Sequence, residues 1–600
     1  MRVKTSTRGS AGWLRGASGR RRIAMASVVL VTLTTAAACH GTSAATSSQP
    51  TKGGTLNVIL SNNGITNLDP QGISLATDAN FSHLVDRTLT TTNAAGQLVP
   101  DLATDTGRPS ADDRTWEFTL RPGVRWQDGS PVTCQDVQYG IERRFASVIN
   151  NLGGLPYPLQ YLVDNTPSYT GPFTQKSLNS IVCVDSRTIQ FHLKQAFGDF
   201  GYTVSVNTFA PMKESADIDH KNDGSAKSTD YDPFSDGPYK VDTTQSKIES
   251  TSDEAGKHYY LSALTLVRNT FWDPSTDPTR KAYPDKIVMS YKPERPTVTN
   301  ALIQSTDPYY QNAISLDADV TPNFVQQVIN DPDLSKRAVS GVAGATRYFA
   351  INVLQEPKLG CRQAMEYAFD KRSWRYEVGG SAFGDLATSL IPPNLLAHLK
   401  FDDYDTTTQQ DGEPTRAASM WQQNKCKSSI KVAYPDVSGL AQLLSTVVQA
   451  YQKAGIAVDL VALPTTVYYQ SIGSPHEAYD MVYAGWVPDW PNGSAVIPPL
   501  FSSGQVTAAL ADPAADAANL NFSMVTNKSL QNQINQAFAV SDLSAQYTLW
   551  GQADKTIMDQ AYAIPVLYTR ALRMEGTKVR GGAITPAYGE PDLSTLGVAP

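Results

Sequence analysis

Histidines, cysteines and carboxylates are the residues of this 600-residue chain that could do chemistry, and their spacing decides what kind. The seven histidines (His40, His83, His192, His220, His258, His398, His476) are scattered. No H-E-x-x-H or H-x-x-x-H pair occurs to hold a metal ion, and no C-x-x-C. A G-x-S-x-G elbow, a G-x-x-x-x-G-K-[ST] phosphate loop and a G-x-G-x-x-G fingerprint are equally absent. The carboxylates are numerous, but their spacing assigns no acid/base pair. The reading therefore moves from enzyme towards binding, with no cofactor and no metal.

Charge narrows the partners. The formal net charge of -7 hides a split, because residues 1–38 hold seven basic residues and no acidic one. The remainder carries 43 basic against 57 acidic residues, a net of -14. So acidic a body repels phosphate backbones, which argues against nucleic acid. With 41% apolar and 18% charged residues the chain can bury a sizeable core, as three to five domains or fewer large ones.

The basic N-terminus, with Arg20-Arg21-Arg22, runs into a short apolar stretch, Ile23 to Leu33, then T-A-A-A-C-H with Cys39. About ten apolar residues are too few to span a bilayer and suit a signal-peptide core. The small residues before Cys39 resemble a bacterial lipobox, with Ala36 where leucine is usual. The expectation is a signal peptide over 1–38, lipidation of Cys39 and a flexible Ser/Thr/Gly-rich tether over 39–54. The alternative is a secreted protein cleaved at an A-x-A site, with Cys39 a spare thiol. The triple arginine permits a twin-arginine route, but the hydrophobic match after it favours Sec export. Of five cysteines, Cys134, Cys183, Cys361 and Cys426 remain, an even number in an oxidising compartment. Three connectivities are open, of which 134–183 with 361–426 keeps both bridges local, and the alternative is four buried free thiols.

Periodicity predicts strands at Thr55–Leu60 and Thr115–Leu120, and a helix capped near Thr133 and running to about Arg144. Polar stretches near 148–180 and 213–237 read as long loops. Helices are expected at 322–331, 361–372, 414–423 and 439–454, the last followed by a strand. Such helix–turn–strand units through 345–500 favour a second α/β lobe.

At Leu98–Phe145 the sequence becomes specific. L-V-P-D-L-A-T…W-E-F-T-L-R-P-G-V-R-W-Q-D-G-S-P-V-T-C-Q-D-V-Q-Y-G-I-E-R resembles the signature segment of the family 5 extracellular solute-binding proteins, the oligopeptide and dipeptide receptors of ABC importers. D-G-P-Y-K (Asp236–Lys240), L-V-R-N-T-F-W-D-P (Leu264–Pro274), Y-P-D-K-I-V (Tyr283–Val288), Y-F-A-I-N-V (Tyr348–Val353) and C-R-Q-A-M-E-Y-A-F-D (Cys361–Asp370) match further blocks in order. Cys361 stands where a branched apolar residue is usual and reads as a disulfide substitution. Residues 241–263 are longer than the usual link.

The resemblance implies an α/β, bilobal periplasmic-binding type II-like fold with a small inserted domain and a hinge. Lobe one would comprise 55–86, 236–296 and 570–600, the small domain 87–235, and lobe two 297–569. In G-W-V-P-D-W-P-N-G (Gly485–Gly493), Asp489 takes the position of the aspartate that receives a peptide's α-ammonium, an acceptor-only group suited to a charge-assisted bond. Gly485, Trp486 and Val487 would offer backbone to an extended peptide, faced by Ser74, Leu75 and Ala76. Trp486 and Trp490 suit core and pocket wall equally, and Asp489 could be an exposed turn residue. At Tyr483 some relatives carry an arginine for the peptide's C-terminal carboxylate, a charge tyrosine cannot supply.

The function so implied is a monomeric, lipid-anchored receptor on the outer face of the cytoplasmic membrane. It would capture oligopeptides and deliver them to an ABC permease with ATPases behind it. The alternatives are a non-peptide cargo (oligosaccharide, metal chelate or haem), a peptide-signal sensor and a secreted hydrolase.

Overall fold

The computed structural model describes residues 49–62, 64–150, 152–162, 169–173, 177–217, 233–253 and 256–600, without side chains at 248–260. The expected signal peptide, Cys39 and most of the tether lie outside these residues. Among the described residues no helix is long and apolar enough to cross a membrane.

Three sheets organise the chain. The first has six strands, in the order Ala313–Ser315, Thr55–Leu60, Lys286–Tyr291, Gly256–Arg268, Tyr239–Val241, with Lys247–Asp253 also paired to Gly256–Arg268. Thr55–Leu60 is parallel to both its neighbours and buried from Leu56 onward. That double-sided burial explains its apolar run V-I-L, since a central parallel strand has no solvent face. The long 241–263 segment forms most of a hairpin on this sheet. Ala313–Ser315 joins the sheet beyond residue 296, where lobe one was expected to end. The short A-I-S run has no period from which its sheet could be read.

The second sheet is antiparallel, ordered Arg108–Pro109, Thr115–Thr119, Thr188–His192, Ile181–Cys183. Thr115–Thr119 alternates, burying Trp116 and Phe118 while its neighbours stay half-buried. Trp116 meets Phe200, Phe118 meets Phe191 and Phe200, and Phe209 packs in turn on Phe191 and Phe200, in edge and tilted contacts that add to their area burial. The helix Cys134–Arg143 begins at Thr133, whose hydroxyl accepts from the Asp136 amide while the Asp136 carboxylate accepts from the Thr133 amide. This capping box fixes the helix start. The Cys134–Cys183 disulfide ties the helix to the sheet.

The third sheet has six strands, ordered Gly384–Leu386, Ala563–Met574, Ala338–Ile351, Met481–Trp486, Ser429–Pro435, Ala457–Leu463. Helices Pro414–Gln423 and Leu440–Lys453 fall on the expected segments. The helix expected over 361–372 is divided into Leu359–Ala368 and Lys371–Glu377, because Asp370 caps the second. Cys361–Cys426 joins Leu359–Ala368 to the chain just after Pro414–Gln423. Ala338–Ile351 and Ala563–Met574 are the longest strands in this sheet and pair with each other. Ile564 and Val566 lie in the third sheet's core, whereas Leu572 and Met574 pack with Ile59 of the first sheet. The two strands therefore run from one core to the other, with a register irregularity between Val342 and Thr346.

Candidate functional site

The strand Met481–Trp486 carries the informative stretch to the end of the third sheet. On one side it pairs with Ala338–Ile351 along its whole length, from Ile351↔Met481 to Thr346↔Trp486. On the other side, the ladder with Ser429–Pro435 holds only Met481 and Val482. Among the described residues, no strand lies beside that edge from Tyr483 onward. The Tyr468 hydroxyl donates to the Tyr483 carbonyl there. Main-chain polar groups two residues apart on a strand point to the same edge, so those of Gly485 face the open side.

Beyond this strand the chain turns into Val487–Asn492, and here Asp489 meets the predicted opposite wall. A cavity of about 270 Å³ is lined by Ser74, Leu75 and Ala76 and by Val487, Asp489 and Trp490. Residues 413 positions apart in the case of Ala76 and Asp489 thus share one space. Ser74 and Leu75 precede the helix Ala76–Val85, whose start carries no side-chain cap. Its amides are left for solvent or a ligand.

Asp489 is half-buried, and its Oδ2 accepts from the Tyr157 hydroxyl. Burial pushes its carboxyl above the usual aspartate range, and the Tyr157 hydrogen bond pulls the other way. Among the described residues, no basic side chain pairs with it. The stretch read as a loop near 148–180 contains the short helix Tyr157–Tyr161 that supplies this partner. Proline and glycine on both sides conceal it: the surrounding sequence is N-L-G-G-L-P-Y-P.

Trp490 is a core residue that also borders the cavity. It is 2% exposed and packs within the small sheet's hydrophobic cluster. Its indole N–H donates to Asp199 Oδ2 at 3.0 Å and Ser494 Oγ at 2.8 Å, and Asn492 donates to Asp199 Oδ1 at 3.0 Å. Tyr157 meets the Trp490 ring edge-on at 4.8 Å between centroids. Asp489 is thus held by the Tyr157 hydroxyl and, through the chain, by the anchored Trp490 that follows it. Trp486 lines neither this cavity nor the one described next; its indole N–H donates to the Ala495 carbonyl at 2.6 Å.

The cavity also contains His83 and Asp86, which sequence reasoning did not select. His83 Nδ1 lies 3.1 Å from an Arg280 guanidinium nitrogen. Burial, with Arg280 adding to it, pushes the imidazole down to about 3, so it is neutral at pH 7. Burial pushes Asp86 up to about 7. Behind them Arg87, Asp101, Asp277 and Arg280 form a fully buried ion network with contacts of 2.7, 2.9 and 3.2 Å. Its members are spread between 87 and 280, so no local motif announces it.

Tyr483 and Gly485 border a different cavity, of about 410 Å³, together with Arg347, Val437, Gly439 and Tyr469. The structure thus places Val487, Asp489 and Trp490 with Ser74–Ala76, and Tyr483 and Gly485 in the neighbouring space. Among the described residues no group of three or more His, Cys, Asp or Glu could hold a metal ion.

The family model for bacterial extracellular solute-binding proteins, family 5 (Middle), matches residues 97–508. The glutathione-binding protein GsiB of Salmonella typhimurium is 20% identical over 502 residues, covering 80% of this chain and 82% of that protein. The oligopeptide-binding protein OppA of Bacillus subtilis is 22% identical over 517 residues, covering 84% and 85%. Among solved structures, the clavulanic acid biosynthesis oligopeptide binding protein 2 superposes with a TM-score of 0.78 at 25% identity, over 92% of this chain and 96% of that one. The unliganded open form of the periplasmic murein tripeptide binding protein MppA superposes with a TM-score of 0.70 at 18% identity, over 92% and 98%. The fold is accordingly α/β of the bilobal type II periplasmic-binding kind. The chain belongs to family 5 of the bacterial extracellular solute-binding proteins.

Proposed function

We propose that this protein is the peptide receptor of an ABC importer, seating a peptide's α-ammonium on Asp489 and its main chain along the open edge after Tyr483. The observation that carries this reading is the single cavity lined by both Asp489 and Ser74–Ala76. An unpaired carboxylate, braced by a neutral hydroxyl, accepts an ammonium without first breaking an ion pair. The unpartnered strand edge beside it suits main-chain hydrogen bonding, which ignores side-chain identity. The glutathione, oligopeptide and murein tripeptide relatives support peptide cargo.

In this reading the lobes and small domain follow the divisions given above, with 297–320 reassigned to lobe one, and the long strands Ala338–Ile351 and Ala563–Met574 act as the hinge. The protein works as a monomer, by binding, closure and release to two permease subunits, with no covalent step. Export and lipidation of Cys39 hold it at the outer face of the membrane. Replacing Cys39 with alanine would then release it into the medium or periplasm, and unchanged membrane retention would refute the anchor. Calorimetry with tri-alanine and its N-acetyl derivative tests the site. Acetylation and Asp489→Ala should each abolish binding. Equal binding of the acetylated peptide would overturn the role of Asp489, and a sugar ligand would be spared by the substitution.

A further inference from the structure

The neighbouring cavity presents more ring surface than main-chain hydrogen bonding needs. Its volume of about 410 Å³ is lined by Tyr468, Tyr469 and Tyr483, with Val437 and Leu440 beside them. Other rings hold two of these tyrosines in place. Tyr483 has Phe349 and Trp374 against it, with ring centroids 5.4 and 5.7 Å away. Tyr469 stands against Tyr468 at 5.4 Å and Phe522 at 6.2 Å, and 58% of it is still exposed. Val437 is 43% exposed. Aromatic and aliphatic surface is thus packed on one side and bare on the other.

Among the described residues the lining holds one charge, Arg347, on the strand Ala338–Ile351 and paired with Gly485. A Cβ at position 485 would collide with its guanidinium, so the glycine lets that plane lie over the strand. Arg347 is exposed and has no hydrogen bond or ion pair among the described residues.

Two classes of side chain could answer this lining. A carboxylate would pair with Arg347, but a guanidinium open to solvent gains little from a single ion pair. An aryl ring would cover the bare surface of Tyr469 and Val437, pack on a tyrosine and offer its face to the guanidinium. A lysine or arginine would meet a like charge, with no carboxylate in the lining to offset it. Space is ample, since a cavity of about 150 Å³ holds a benzene molecule.

We propose that this cavity seats an aromatic side chain of the cargo, and that Tyr469 sets the preference. The inference rests on the peptide reading above and narrows its substrate class to peptides with phenylalanine, tyrosine or tryptophan away from the N-terminus. The strand separates Tyr483 from Trp486 by three residues, about 10 Å, and Asp489 lies beyond its end. An extended peptide with its ammonium at Asp489 needs about three residues to cover that distance. The ring therefore belongs to the third residue or a later one.

Calorimetry on the purified chain tests this, with tetra-alanine and the four peptides that replace one of its alanines by phenylalanine. Phenylalanine at the third or fourth position should tighten binding about fivefold or more, and at the first or second it should not. Glutamate or lysine at the favoured position should bind more weakly than phenylalanine. Tyr469→Ala should lose the preference, and Tyr469→Phe should keep it. Any tetra-alanine binding by Tyr469→Ala shows that variant to be folded. Four results would overturn the aromatic seat and leave the peptide reading intact: equal affinity of the natural protein for all five peptides, a gain confined to the first two positions, a larger gain from glutamate than from phenylalanine, or a preference surviving in Tyr469→Ala. If none of the peptides binds, both readings fall.

Discussion

The two cavities differ in how firmly their charges are held. At one, Asp489 is half-buried, hydrogen-bonded by Tyr157 and flanked by a tryptophan locked into the small sheet's core. At the other, Arg347 is exposed and unbonded among residues that are themselves partly exposed. In the proposed reading, a braced charge would fix the start of a bound peptide at one register, since little reorganisation accompanies binding. A loose one at the end of a long flexible side chain has no fixed position before a ligand arrives. Firm recognition therefore belongs to the Asp489 cavity in that reading.

The largest effect should come from the brace. Trp490→Ala removes a side chain that is 2% exposed and should cost about 3–5 kcal/mol of stability, read as a lower urea midpoint. Tyr469→Ala, at the looser cavity where 58% of the residue is exposed, should cost about 0.5 kcal/mol or less. Similar losses at both positions would erase the contrast. Next, Asp489→Asn should weaken peptide binding by about 3 kcal/mol, roughly a hundredfold, through loss of a charge-assisted bond. A loss below tenfold in calorimetry would remove Asp489 from the ammonium site. Tyr157→Phe should cost about 1 kcal/mol of peptide affinity.

The pH dependence sharpens the same point. Burial raises the Asp489 carboxyl, and a protonated carboxyl cannot pair with an ammonium. Peptide affinity should therefore fall as pH is lowered, beginning above the range of an ordinary aspartate near 4. Because the Tyr157 hydrogen bond lowers this carboxyl, its loss in Tyr157→Phe should move the onset to higher pH. Affinity flat from pH 7 to 4.5, measured by calorimetry, would show that Asp489 holds no ammonium.

Local signals made much of the scaffold legible. Thr133 with Asp136 three residues on is a complete capping box, and both halves form. T-W-E-F-T alternates and becomes a half-buried strand. Cys134, Cys183, Cys361 and Cys426 left three pairings open, and the local pair is the one present. What stayed hidden depends on residues far apart. Tyr157 reaches Asp489 across 332 positions from a one-turn helix in a proline- and glycine-rich stretch. Arg347 sits just before the recognised Y-F-A-I-N-V block, and only strand register places it against Gly485. A single basic residue interrupting an apolar strand was the available signal. The buried Arg87–Asp101–Arg280 network likewise joins charges that would each read as surface residues.

Native mass spectrometry of the purified chain, before and after mild denaturation with the released material sequenced, decides between peptide and other cargo. The peptide-receptor function predicts release of a distribution of short peptides with free N-termini. Release of a sugar, a metal chelate or haem in their place would contradict it.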